Sequence, residues 1–185
     1  MPILEYYVAG QNLVGDVFIE TGLHKGGTLA QAAWAGFLEL HSIDIVEEYI
    51  RNGRERFEKF SNVTLHHGSS PDILPKIMNP RKRTTFFLDA HYQGGEANEC
   101  DSKYGECPLM AELAAINRVS WKHPPIIAID DVTMYLRPWE PSEEKRFDAK
   151  QWPTVKQIEK AFPEHTPFIR GGILYLFPPS MEVTT

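Results

Sequence analysis

Two groups of side chains in this 185-residue chain are placed to do chemistry. The first is Glu20-Thr21-Gly22, which ends the apolar run Val17 to Glu20 and is followed by Gly26-Gly27-Thr28. A strand that breaks into a glycine turn and then starts a helix brings backbone close to a ligand, because glycine is needed where a Cβ would collide or where φ is positive. The second group ends two very apolar runs, Phe86-Phe87-Leu88-Asp89-Ala90-His91 and Ile127-Ala128-Ile129-Asp130-Asp131. Open α/β sheets place ligands at the carboxyl ends of their strands, so both groups are expected at one rim.

Glu20 decides which ligand suits the first group. The glycines alone also fit an ordinary strand-to-helix turn, and a carboxylate at the strand tip would repel a pyrophosphate across a partly desolvated gap. S-adenosylmethionine carries an ammonium and a sulfonium and suits such a tip; NAD, with its phosphates, does not. Asp44 ends the next strand, close to the roughly 20-residue separation expected of the acid that holds ribose hydroxyls. Its alternative role is to cap the helix that begins at Val46.

Asp89, Asp130 and Asp131 would converge on neighbouring strands, which is costly unless they bind a cation or share a proton. Hard oxygen donors point to Mg²⁺, with Mn²⁺ and Ca²⁺ as alternatives, and the cation would lower the pKa of a bound hydroxyl. The competing arrangement has Asp89 contacting the cofactor's amino-acid end while Asp130 and Asp131 cap the following loop. His91, whose imidazole titrates near neutral pH, is the candidate general base, with Tyr92 next. Cys100, Cys107 and His91 fit no standard zinc spacing, and reduced thiols are expected.

The elements that must position these residues alternate as strand and crossover helix. Strands are expected at Val17 to Glu20, Leu40 to Ile45, Val63 to His66, Thr84 to Leu88 and Ile126 to Ile129, the last two buried on both faces. Phe168 to Phe177, broken at Gly171-Gly172, reads as a terminal antiparallel pair, giving about seven strands. Helices are expected at Thr28 to Phe37, Val46 to Phe60, Pro71 to Met78 (weak), Cys107 to Val119 with Pro108 in its first turn, and Pro153 to Phe162. Met134 to Gln151 reads as a polar, proline-containing stretch.

Length and a hydrophobic content of 42% predict one domain spanning residues 1–185. A net charge of -6 and a pI near 5.6 leave no footprint for nucleic acid or an anionic membrane. Without a leader or a bilayer-length apolar run the expectation is a cytoplasmic protein with a small-molecule acceptor, and the sequence leaves room for a homo-oligomer.

Taken together, these residues resemble the class I S-adenosylmethionine-dependent methyltransferases, in particular the macrocin O-methyltransferase-like group and, more distantly, catechol O-methyltransferase. The resemblance runs through most of the chain and is carried by Glu20-Thr21-Gly22-Leu23-His24-Lys25-Gly26-Gly27, Leu88-Asp89 and Ile129-Asp130-Asp131. It implies a Rossmann-like, seven-stranded, mostly parallel α/β sheet with helices on both faces and the last strand antiparallel. It also implies a methyl donor at Glu20, Thr21, Gly22, Gly26, Gly27, Asp44 and Asp89, and a metal at Asp89, Asp130 and Asp131. The chain departs from that pattern in three places. His24 replaces the turn's middle glycine, Ser69 stands where many relatives have an acid near the adenine, and no lysine closely follows Asp89.

Gly94 to Glu106 and Met134 to Gln151 follow the two acidic strand ends and are expected to overhang the acceptor. Tyr104, Tyr135, Trp139 and Trp152 would either wall the acceptor pocket or pin these loops to the body. The expected function is metal-assisted O-methyl transfer to a small-molecule hydroxyl. The alternatives are a non-catalytic S-adenosylmethionine-binding protein and an NAD-linked oxidoreductase.

Overall fold

A computed structural model describes residues 5–93 and 100–183. It begins with a short antiparallel hairpin, β1 (Tyr7–Val8) and β2 (Gln11–Asn12), which sequence patterning did not predict. The main chain of alternation follows: β3 (Val17–Thr21), α1 (Gly27–Ala35), β4 (Glu39–Asp44), α2 (Glu47–Arg56), β5 (Val63–His67), α3 (Ser70–Ile77) and β6 (Thr84–Leu88). After it come α4 (Leu109–Asn117), β7 (Ile126–Ile129), a 3-10 turn at Val132–Tyr135, α5 (Pro141–Glu144) and a second 3-10 turn at Ala149–Gln151. The last elements are α6 (Val155–Ala161), β8 (Thr166–Arg170) and β9 (Ile173–Phe177).

Seven strands form one sheet in the order β5-β4-β3-β6-β7-β9-β8. The first five are parallel neighbours, and β9 runs antiparallel to both β7 and β8. This is the Rossmann-like arrangement expected from the alternating runs. Side chains alternate between the two faces of a strand, so Ile19, Phe86, Leu88 and Ile127 pack on α3, α4 and α6, while Phe18, Phe87 and Ala128 pack on α1 and α2. Every residue of β3, β6 and β7 is buried, as apolar runs covered on two faces require. The edge strand β8 is largely exposed and carries Pro167 and Arg170, residues that discourage pairing with another chain.

Three helix boundaries differ from expectation for local reasons. The second helix stops at Arg56; Phe57 and Phe60 lie in the turn beyond it and pack ring to ring, so their apolar spacing overstated its length. Pro108 caps α4 rather than opening its first turn. The sixth helix starts after Thr154, whose capping box with Gln157 sets its first turn. The polar, proline-containing stretch Met134 to Gln151 holds the end of the first 3-10 turn, α5 and the second 3-10 turn.

Candidate functional site

The alternation that builds the sheet also aims the tip of β3. Glu20, on the α1 face, is 1% exposed and accepts a 2.5 Å hydrogen bond from Ser42 Oγ on β4. Thr21, on the opposite face, is fully buried; its carbonyl accepts from the Asp89 backbone N–H at 3.0 Å, and its hydroxyl reaches Glu112 of α4. Gly22 follows at φ +85, where an added Cβ would stand 2.3 Å from the Asp89 carbonyl oxygen. The β3 turn and the β6 turn are therefore clamped backbone to backbone, which only glycine permits.

His24 occupies the left-handed region at φ 46, the reason a glycine is common at that position in related turns. The strain is held by Asp44, whose Oδ2 accepts from the His24 N–H and Oδ1 from the Val46 N–H, both at 2.9 Å. Asp44 thus ties two turns together ahead of α2, whose N-cap is Val46 rather than Asp44, while still lining the second cavity. Gly26 caps α1 with its Cβ position blocked by the Phe57 ring at 2.8 Å.

Three adjoining cavities lie along the carboxyl rim. The largest, about 1270 Å³, is lined by Glu20, Gly22, Gly27, Thr28, Asp89, Asp130 and Asp131. A second, about 630 Å³, is lined by Asp44, Val46, Tyr49, Gly68, Ser70, Asp89 and His91, and shares Gly22, His24, Asp89 and Gln93 with the first. A third, about 560 Å³, lies against His91, Tyr92, Asp131, Met134, Arg146, Phe147 and Trp152. Glu20 thus lines the first cavity and Asp44 the second, and the two cavities adjoin along the four residues they share. Of the expected cofactor residues, Thr21, Gly26 and Ser69 line neither. The first two build the turn, and Ser69 Oγ lies buried without a hydrogen-bond partner among the described residues.

Burial sets the electrostatics here. It raises Glu20 well above the usual carboxylate range, against the Ser42 hydrogen bond and with the charges of Asp89 and Asp44 adding to it. It also raises Asp44 and Asp89, and, with the Asp89 charge beside it, pushes Asp130 up to about 7. Glu112 was not expected from the sequence, since an acid in an apolar helix pattern looks solvated. It is 1% exposed, accepts from Ser70 Oγ at 2.5 Å, and is pushed by burial up to about 7.

Between the second and third cavities, His91 Nε2 stands 3.2 Å from both Asp89 Oδ1 and Asp131 Oδ2. Burial works against a charge on His91, but the two carboxylates outweigh it and hold the imidazole up to about 10. A protonated ring has no lone pair to accept a proton, so this arrangement does not favour His91 as the general base. Nor do the three aspartates converge as a set. The atoms brought within 4.8 Å of one another belong to Asp89, His91 and Asp131. Asp130 stands beside them, its Oδ1 accepting from the Asp131 N–H at 2.8 Å.

The aromatic residues divide between the two roles open to them. Tyr135 and Trp139 are buried and pin the segment, whereas Trp152 is 3% exposed yet lines the third cavity with its ring 5.1 Å from His91. Tyr104 turns away and donates to Asp72 on α3. Of the expected overhang Gly94 to Glu106, residues 94–99 lie outside the described ones. Glu106 ties the remainder to the other loop, its Oε2 accepting from Trp152 Nε1 at 2.8 Å and its carbonyl from the Tyr92 N–H at 2.7 Å. Cys100 is exposed and Cys107 buried, and neither joins a metal-ligand group among the described residues.

Several solved structures that match this fold are methyltransferases. The Podospora anserina methyltransferase PaMTH1, solved with S-adenosylhomocysteine, matches with a TM-score of 0.61 and 14% identity over 88% of this chain and 71% of that one. A putative O-methyltransferase from Klebsiella pneumoniae gives 0.60 and 17%, covering 89% and 74%. The O-methyltransferase TomG from Streptomyces achromogenes, solved with S-adenosylmethionine, gives 0.55 and 16%, again covering 89% and 74%. No family model and no curated protein sequence matches the chain. The chain shares the fold of these methyltransferases.

Proposed function

We propose that this protein is an S-adenosylmethionine-dependent O-methyltransferase acting on a small-molecule hydroxyl. The observation that carries the reading is the pair of buried carboxylates, Glu20 and Asp44, lining two adjoining cavities at the carboxyl rim of a sheet with this strand order. When bound, S-adenosylmethionine supplies an electrophilic methyl group. Glu20 would receive its ammonium, and ionises as that cation replaces the proton which burial favours. Asp44 keeps lone pairs free for ribose hydroxyls, and Gly68, Ser70 and Tyr49 form the wall beyond it.

The corner beside these cavities suits a divalent cation, because carboxylate oxygens of Asp89 and Asp131 gather there with His91 within 4.8 Å of one another. Asp89 and Asp131 would hold such an ion, whose contribution is to stabilise an acceptor oxygen as it loses its proton. The chain's own part is positioning: Trp152, Phe147 and Met134 give the acceptor an apolar seat, and Asp131 faces it from the rim. A net charge of -6 favours a small acceptor over nucleic acid, and the proposed setting is cytoplasmic.

Calorimetry with S-adenosylhomocysteine tests the reading: wild type binds, and Glu20→Ala abolishes binding. No heat at millimolar ligand, or unchanged binding by Glu20→Ala, would end it. The charged state of His91 favours one second reading, a donor-binding protein without turnover. Transfer of labelled methyl to any member of a hydroxyl-bearing metabolite panel, lost in Asp131→Asn, excludes that alternative. NADH should not compete for the cleft.

A further inference from the structure

We infer that the opposite rim of the sheet, where the parallel strands β3, β6 and β7 begin, carries a second ligand site that takes a small organic anion with an apolar body. The site lies at the far end of these strands from the cavities at the carboxyl rim, and it does not depend on the methyl-transfer reading.

A cavity of about 720 Å³ opens there between four segments: Asn12 to Gly15 ahead of β3, Arg83 to Thr85 entering β6, Lys122 to Ile126 entering β7, and Pro178 to Met181 after β9. That is room for an organic molecule rather than a single ion. Hydrogen bonds tie these segments to one another and to their neighbours, so the cavity exists before any ligand arrives. The Arg83 carbonyl accepts from the Asp16 and Val17 N–H groups at 2.8 and 3.1 Å, and an added Cβ on Gly15 would stand 2.6 Å from the same oxygen. Thr85 Oγ1 donates to the Leu13 carbonyl at 2.6 Å, the Lys122 N–H to the Pro80 carbonyl at 2.9 Å, and Gln11 Nε2 to the Glu182 carbonyl at 2.6 Å.

The lining divides by chemistry. Leu13, Val14, Ile126 and Met181 make its apolar part, Leu13 and Ile126 being buried. Arg83, Lys122 and His123 bring basic groups, and among the described residues none that lines the cavity is acidic, in a chain with 25 acids against 19 lysines and arginines. Asp16, outside the lining, takes up part of Arg83, its Oδ1 lying 3.3 Å from Nη2. Lys122 has no ion pair among the described residues, so its ammonium is available to a ligand. Apolar surface beside an unpaired ammonium suits a hydrocarbon body that ends in a carboxylate. Inorganic phosphate would leave the apolar part uncovered, and a neutral alcohol of the same length would leave Lys122 without a counter-charge.

The test is a nuclear magnetic resonance titration of the full chain with octanoate, octanol and inorganic phosphate, read on backbone amides. Octanoate should shift Leu13, Gly15, Thr85 and Met181 and leave Gly22 and Asp44 unmoved. Octanol and phosphate should each bind at least about tenfold more weakly. Lys122→Glu should weaken octanoate about tenfold, and Ser180→Trp, which places an indole in the cavity, should abolish its binding. A normal unfolding transition shows that each variant is folded. No shift at those amides with millimolar octanoate, shifts at Gly22 and Asp44 in their place, octanol or phosphate binding as well as octanoate, or indifference to Lys122→Glu and Ser180→Trp would overturn the inference. If octanoate binds as expected and S-adenosylhomocysteine does not bind at all, the methyl-transfer reading falls and this site stands.

Discussion

The two flanks of the carboxyl rim treat buried charge in opposite ways. On the β3–β4 flank each acid has its own donor: Ser42 Oγ serves Glu20, and the His24 and Val46 N–H groups serve Asp44. On the β6–β7 flank Asp89 Oδ1 and His91 Nε2 lack an aligned hydrogen bond and meet only as an ion pair 3.2 Å apart. A carboxylate satisfied by the protein is fixed in direction and keeps limited capacity for one further polar contact, which suits an organic ligand. An unsatisfied group in the same low-dielectric setting is costly until something outside the chain completes it. The seam between the flanks is the backbone contact of Gly22 with Asp89.

Breaking that seam should have the largest effect. Gly22→Ala places a Cβ against the Asp89 carbonyl at positive φ, and a loss of about 4 kcal/mol is expected in urea unfolding. Gly36→Ala, also at positive φ but with nothing within 4 Å, should cost about 1 kcal/mol. Equal losses at the two positions would show that the flanks are not clamped together.

Glu112 bridges the seam from beneath through Ser70 and Thr21, and its burial gives stability a pH dependence. Its carboxyl is raised from 4.5 to about 7, so the native state holds a proton that the unfolded chain releases first. Its contribution is fully present below pH 4.5 and is lost as pH rises to about 7, a change of about 3 kcal/mol. Glu112→Gln cannot ionise, so wild type should lose stability relative to it across that window. Parallel stability curves for the two proteins would remove Glu112 from this role.

Separating the flanks by ligand sharpens the comparison further. Glu20→Gln should weaken S-adenosylhomocysteine on the order of 100-fold, about 2.7 kcal/mol, whereas Asp131→Asn should stay within about threefold. Similar losses in both, read by calorimetry, would erase the division. The smallest expected effect is at Ser42→Ala, which removes the one side-chain hydrogen bond to Glu20. A cost of about 1 kcal/mol in unfolding is expected, and no change would mean that Glu20 needs no donor there.

Much of this was legible in the sequence because it depends on local pattern. The apolar runs, the glycine turn after Glu20 and the acids after Leu88 and Ile129 specify parallel strands, a ligand turn and a charged rim, and the sheet places them as expected. Periodicity also identified the terminal pair around Gly171-Gly172, whose residues both have positive φ. What local pattern missed depends on contacts between distant segments. Glu112 reads as a solvated helix position until Ser70, far away in sequence, reaches it. The hairpin Tyr7–Val8 with Gln11–Asn12 is too short to show a period.

The sequence by itself determined which strand ends carry acids and which turn carries glycines, since both follow from side-chain period and backbone sterics. Only the tertiary structure decided that His91, rather than Asp130, faces Asp89 and Asp131. The reason lies in the backbone: Asp131 stands at φ 52 with its N–H on Asp130 Oδ1, and no spacing rule encodes a single residue held in the left-handed region by its neighbours.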